Sequence, residues 1–402
     1  MNKIKLSKLA NINMGQSPKS ENYCNNEGIP FLQGNRTFGE KYPEIDVYTK
    51  QITKLAKKGE ILISVRAPVG DLNIAPVDLC IGRGLSSINS FDGNNEFLYY
   101  CLKYNVRNIL KQSSGTTYDS INRDILENFE LITPKKEDYI KVGEILSKID
   151  NKIELNNKIN SELEAIAKTI YDYWFLQFEF PDEEGKPYKS SGGKMVWNDE
   201  LKREIPEIFK NLLLKEIKNI SVITGKTPST KDETNFGNEV PFITIEDLRE
   251  NTFVVNTKRK LSKKGANTQE KKYIPSGSIC VSCIATIGEI AITTETSQTN
   301  QQINSVICER EEIRNYLYFY LKNMFLNFKV KSGNIFSNMN KEEFESIKIL
   351  LPTENILVKF SEILSSILSK IEINIKENQE LTSLRDFLLP LLMNGQIGFK
   401  EE

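Results

Sequence analysis

Histidine is absent from all 402 residues, which removes the commonest general base, the usual nucleophile triads and most zinc and iron sites. Carboxylates, lysines and cysteines remain, and their spacing argues against catalysis at each place where it could occur. Cys280-Val281-Ser282-Cys283 has metal-ligand spacing. The chain holds a second version of this stretch, however, in which Leu62 and Val65 take the cysteine positions. The thiols are therefore expected to pack as small hydrophobes. Gly34 to Lys41 resembles a phosphate-binding loop, but Glu40 separates Gly39 from Lys41, and Tyr42 follows where Ser or Thr is required. Pro181 to Lys186 carries Asp182, Glu183 and Glu184 in a Gly- and Pro-rich connector, with no rigid strand to hold metal ligands. No glycine-rich dinucleotide or S-adenosylmethionine loop follows a strand, and no Asn/Asp-Pro-Pro-aromatic motif is present.

The remaining chemistry is recognition. Gln33, Asn35, Arg36, Arg66, Arg83, Lys111, Ser114, Thr116 and Tyr118 form one polar and basic set. Lys226, Lys258, Lys260, Lys263, Gln301, Gln302, Lys331 and Asn334 form a second. Arginine suits guanine O6 and N7, Gln and Asn suit adenine, and Lys with Ser or Thr suits phosphate. Both sets are therefore candidate DNA contacts. Arg83-Gly84 stands in the first where Gln301-Gln302 stands in the second, so one frame carries different reading groups.

These sets are positioned by a duplicated element. Gly59-GEILISVRAPVGDLNIA and Gly277-GSICVSCIATIGEIAIT begin 218 residues apart, and the same offset pairs Gly70 with Gly288, Ser87 with Ser305, Pro134 with Pro352, and Lys152-Ile153-Glu154 with Lys370-Ile371-Glu372. A period this long is a whole module, not a solenoid unit. Each copy opens with a strand-rich part, in which Ile61–Val65 and Ile279–Ile284 read as strands, and ends in a long helix begun just after proline. Tyr139, Val142, Leu146, Ile149, Ile153, Asn156, Asn160, Leu163, Ala167, Ile170 and Trp174 form a heptad stripe. Leu357, Phe360, Leu364, Ile367, Ile371, Asn374, Asn378, Leu381, Arg385, Leu388 and Leu392 form its partner. Sustained a/d spacing predicts a coiled coil. If it is antiparallel, Asn156 and Asn160 meet Asn374 and Asn378, and the paired amides fix register at some cost in stability. Pro390 is expected to kink or end the second helix.

The expected fold is α+β, with two similar mixed α/β domains, each followed by a long helix, and the helices paired antiparallel about a pseudo-two-fold axis. The boundaries read as domains at 1–134 and 212–352, helices at 135–180 and 353–394, a connector with a small hairpin at 181–211 and a tail at 395–402. Net charge is −1, but residues 1–134 carry 16 basic against 14 acidic side chains and residues 212–352 carry 19 against 16. The globular parts are thus mildly basic and the helical parts acidic, and local charge is what a binding face requires. No stretch of 18 or more apolar residues is present, and the N-terminus lacks a signal peptide's apolar core, so a cytoplasmic protein with no membrane partner is expected.

At this point the chain resembles the specificity subunit of type I restriction–modification systems. The resemblance runs over nearly all 402 residues. It is carried by the two variable halves with their helices, and by the connector after Tyr173-Trp174-Phe175, from Pro181-Asp182-Glu183 through Gly185-Lys186-Pro187-Tyr188 to Gly192-Gly193-Lys194-Met195-Val196-Trp197. Gly15–Pro18, Pro30-Phe31, Gly225–Pro228 and Pro241-Phe242 look like the family's domain starts. The resemblance implies two target recognition domains, each contacting one half of a split asymmetric double-stranded DNA site, with the helices as spacer. It implies two methyltransferase subunits as partners, which bind S-adenosylmethionine and methylate adenine, together with motor–nuclease subunits for restriction. It implies no catalysis and no cofactor in this chain. Two other readings share the same features: a degenerate self-contained methyltransferase or nuclease, and a coiled-coil scaffold whose globular halves bind protein or RNA.

Overall fold

Residues 2–112, 120–332 and 338–399 are described here from a computed structural model. The chain forms two compact units, residues 1–153 with 380–402, and residues 154–379.

In the first unit an antiparallel sheet runs in the order Ala10–Met14, Leu85–Ser90, Ile61–Ser64, Leu72–Ile74. Ile61–Ser64 is buried throughout, and its period-two alternation divides it between two cores. Ile61 and Ile63 pack with Phe97, Leu98 and Leu102 of helix α1 (Asn95–Gln112). Leu62 faces Leu32, Ala56 and Ile81 of a second sheet, in which Ile29–Leu32 runs parallel to Leu79–Ile81. Helix α2 (Arg123–Glu127) is capped by Asn122, whose side chain accepts from Ile125 N at 2.9 Å. The strand Glu130–Thr133 then pairs with Asn2–Lys5 and closes the body before helix α3 (Tyr139–Tyr171) begins.

The second unit repeats this plan. Ile220–Thr224, Ile303–Cys308, Ile279–Ser282 and Ile290–Thr293 follow in the same order, extended by Phe253–Val254. Register is kept as well: Leu62 pairs with Ser87 in one unit and Cys280 with Ser305 in the other. Short helices α4 (Ile245–Leu248) and α5 (Lys263–Asn267) are additions of this unit. Helix α6 (Glu311–Ser332) covers the sheet, Asn340 caps α7 (Lys341–Glu345), and α8 (Glu354–Met393) follows. Cys280 lies in one core with Ile243, Ala291 and Ile303, and Cys283 in the other with Val281 and Ile290. Among the described residues no group of His, Cys, Asp or Glu could hold a metal ion.

Burial pushes the Cys280 and Cys101 thiols up to about 12 and that of Cys283 up to about 11. At pH 8 their thiolate fractions are then about 10⁻⁴ to 10⁻³, and the thiolate is the reactive form. Iodoacetamide is expected to label half-buried Cys24 on the folded chain and to spare these three. Early modification of Cys280 or Cys283, seen by peptide mass spectrometry, would contradict the packing.

The long helices pair antiparallel within each unit. In the second, Asn156 Nδ2 donates to Asn378 Oδ1 at 2.9 Å, and Asn374 Nδ2 donates to Asn160 Oδ1 at 2.8 Å. Asn156 Oδ1 and Asn374 Oδ1 are buried without partners, so the layer carries a desolvation cost. In the first unit the seam holds Asp150 and Arg385, joined at 2.8 Å with both side chains 7% exposed.

Pro390 does not end the second helix. Helix α8 passes through Pro390 and ends at Met393. The hydrogen bond that proline removes lies in the last turn, so little helix is lost. Termination comes at Gly395 (φ 65°), where Gly395 N and Gln396 N close on Leu392 O and Leu391 O. The connector forms the expected small hairpin, and it and the residues just before it are packed. Phe178 and Phe180 are buried in the second unit's core, Tyr188 stacks on Phe180, and Met195–Asn198 pairs with Arg203–Pro206 as a hairpin. Its acidic run is a local turn, in which Asp182 Oδ1 accepts from Glu184 N and Lys186 N.

Candidate nucleic-acid interface

Three loops meet at the same edge of each unit, and the backbone bonds that join them are duplicated. In the first unit Gly15 N donates to Leu85 O and Gln16 N to Ile81 O, both at 2.9 Å. In the second, Gly225 N donates to Ile303 O at 3.1 Å and Lys226 N to Thr299 O at 2.9 Å. Gly82 N to Leu32 O is matched by Asn300 N to Ile243 O, Val65 N to Gly84 O by Cys283 N to Gln302 O, and Ile121 N to Val65 O by Met339 N to Cys283 O. A serine braces the third loop both times. Ser64 Oγ donates to Pro68 O and accepts from Asp71 N, and Ser282 Oγ donates to Thr286 O and accepts from Glu289 N.

The approach is close enough to require glycine. A Cβ on Gly15 would stand 2.2 Å from Gly82 O, and one on Gly225 would stand 2.1 Å from Thr299 Oγ1 and 2.2 Å from Asn300 O. On this shared frame several side chains differ between the units. Gln16 is replaced by Lys226, Arg66 by Ile284, Arg83 by Gln301 and Gln33 by Thr244.

The candidates named from sequence fall into three groups. Arg66, Arg83, Lys226 and Lys263 are exposed and Lys260 is half-buried, and among the described residues their charged ends have no ion-pair partner. These, with Gln33 and Gln301, are available to a ligand. Others are engaged inside the chain. Arg36 pairs with Asp46. Asn35 Nδ2 donates to Asp71 Oδ2 at 2.6 Å and to Pro68 O at 3.2 Å. Gln302 Oε1 accepts from Asn300 Nδ2 at 2.9 Å. Lys258 bonds Glu246 at 2.9 Å, and this hydrogen bond holds its pKa above the usual lysine range. The side chains of Lys111 and Lys331, and all of Ser114, Thr116, Tyr118 and Asn334, lie outside the described residues.

Sequence reasoning missed Ser17 and Thr227. Ser17 Oγ donates to Gln33 Oε1 at 2.8 Å, and Thr227 Oγ1 lies 2.6 Å from Gln301 Oε1. Both belong to a Gly-x-Ser/Thr-Pro sequence, and that shared motif was the available signal.

Each unit thus carries the same loop cluster with unlike polar groups. Comparison with known proteins identifies the class. The profile of the type I restriction modification DNA specificity domain matches residues 1–165 and 206–383. The chain is 33% identical to the type I restriction enzyme HindI specificity subunit of Haemophilus influenzae, over 86% of this chain and 88% of that one. It is 27% identical to the MjaIX specificity subunit of Methanocaldococcus jannaschii, over 94% and 85%. The crystal structure of the type I restriction–modification S subunit from M. genitalium superposes with a TM-score of 0.60 at 16% identity, covering 100% of this chain and 96% of that one. The chain therefore belongs to the type I restriction–modification specificity subunit family, and is a DNA-specificity component rather than an enzyme. Among the described residues no helix is long and apolar enough to cross a membrane.

Proposed function

We propose that this chain reads a bipartite, asymmetric double-stranded DNA site, one half with each unit. It would dock two methyltransferase subunits that bind S-adenosylmethionine and methylate adenine, and motor–nuclease subunits where restriction occurs. The observation that carries the two-word reading is the loop frame: its backbone bonds are the same twice, while Gln16, Arg66 and Arg83 become Lys226, Ile284 and Gln301. Conserved geometry with changed base-edge chemistry is what two readers of different sequences require. Docking of two like partners is supported by the outer helix faces. Leu155 and Ile373, 218 residues apart, are 52% and 55% exposed, and Ile166 and Leu384, at the same offset, are 49% and 45% exposed. Large apolar side chains left in solvent at repeat-related positions suit a partner that binds twice.

Single-molecule methylation mapping tests this reading, with the methyltransferase partner held constant. Removing the chain is expected to abolish methylation of a two-part motif, and exchanging residues 1–134 for those of a relative is expected to rewrite one half only. Methylation indifferent to the chain would overturn the proposal, and partners recovered by pull-down would then separate a protein-binding scaffold from an RNA-binding one.

A further inference from the structure

We propose that Gln33 is a donor-only reader, presenting its amide nitrogen but not its amide oxygen to DNA. It thereby selects guanine or thymine, not adenine, at one position of the first half-site. This rests on the reading above that the first unit contacts DNA. A glutamine ordinarily recognises adenine by accepting from N6 and donating to N7. Here the accepting half is already occupied. Arg83 N–H donates to Ser17 Oγ at 3.1 Å. A backbone N–H can only donate, so Ser17 accepts there and keeps its own proton to donate to Gln33 Oε1, 2.8 Å away. The Tyr23 hydroxyl faces the same oxygen at 3.4 Å and shares its one proton between it and Pro18 O, also at 3.4 Å. A carbonyl oxygen has two lone pairs; the Ser17 hydroxyl takes one, and the Tyr23 hydroxyl stands over the other. The amide is thus oriented with its two N–H groups outward. Guanine offers acceptors at both N7 and O6 and thymine offers O4, whereas adenine sets a donor beside its acceptor.

The residue is also held in place. Gly84 N donates to Gln33 O at 3.0 Å. A Cβ on Gly82 would stand 2.7 Å from Gln33 Oε1, and one on Gly84 would stand 2.7 Å from Gln33 O, so two glycines let the loop close against it. Gln33 is exposed, and fixing a long exposed side chain costs rotamer entropy that burial does not return. Such a hold serves a ligand met in that geometry. The second unit lacks the polarity lock. Thr227 Oγ1 lies beside Gln301 Oε1, but among the described residues no backbone N–H fixes which way the threonine proton points, so the inference is confined to Gln33.

The test is methylation by the chain with its methyltransferase partner on DNA randomised across the first half-site. Wild type is expected to require G or T at the position where Gln33→Ala loses discrimination. Gln33→Glu, an acceptor in place of a donor, is expected to move that preference by about tenfold towards A or C. Ser17→Ala with Tyr23→Phe frees Oε1, and is expected to raise methylation of the adenine-bearing site by about tenfold. Gln33→Glu alters an exposed side chain and should keep the wild-type melting temperature. An unchanged motif in Gln33→Ala and Gln33→Glu, or adenine at the affected position in wild type, would overturn the inference. Failure of the wider reading looks different, since no motif would then depend on the chain.

Discussion

Asp150→Ala is expected to destabilise the first unit by about 3 kcal/mol, the low end of the range for a buried ion pair broken on one side. Arg385 Nη1 reaches Asp150 at 2.8 Å, and Tyr100 OH donates to the other carboxylate oxygen at 2.6 Å. Truncation strands a buried cation and a buried hydroxyl together. Asp386 and Glu40 stand at 2.9 and 3.4 Å from the guanidinium, but both are largely exposed and give only screened compensation. Asp150 neighbours the arginine closely enough to hold its pKa up against burial, which acts the other way. Replacing the whole network with Asp150→Leu, Arg385→Met and Tyr100→Phe is expected to recover stability to within about 1 kcal/mol of wild type, because apolar groups of similar volume substitute well for buried ion pairs. The second unit already uses apolar residues there: Leu368 and Ala167 occupy the repeat-related places. Hydrogen exchange of α1 and the first turns of α3 measures the effect, with the second unit's strands as internal reference. A loss below about 1 kcal/mol for Asp150→Ala would show that the pair contributes little beyond its neighbours.

Gly15→Val and Gly225→Val are each expected to lower methylation of the proposed bipartite site by about a hundredfold or more. That is the cost of one or two lost base contacts at roughly 1–3 kcal/mol each. A Cβ 2.2 Å from a backbone oxygen cannot be absorbed by a rotamer change, so the first loop must lift away from the other two. Gly398 has nothing within 4 Å of its Cβ position, and Gly398→Ala is the control expected to be silent. Relative methylation rates decide the matter. Equal rates for all three variants would remove the loop cluster from the recognition surface.

The repeat and the paired helices were legible because they depend on local chemistry: a repeated spacing of glycine and serine, a heptad stripe and a proline before a helix. The loop cluster was only half legible. Gly59 and Gly277 are 218 residues apart, but Gly15 and Gly225 are 210 apart, so one offset does not bring Ser17 and Thr227 into register. Partner choice was not legible at all. Arg36 and Lys258 have the composition of phosphate contacts, yet Asp46 and Glu246, brought close by the fold, take their charge. Arg385 was visible as a basic residue in an apolar stripe, but Asp150, 235 residues away, came from outside the other stripe. Non-local pairs of this kind arise from tertiary packing, which side-chain type alone does not encode.

The buried Asp150–Arg385 ion pair also bears on what the two halves of this chain could do apart. Severed between the repeats, each half would keep one long helix and could pair with a copy of itself. Two first halves would set Asp150 against Ala167, and two second halves would set Arg385 against Leu368. Either homotypic pairing buries an uncompensated charge twice, while the unlike pairing buries none. The seam between the helices thus disfavours symmetric dimers of half-chains and favours one covalent chain in which unlike helices meet.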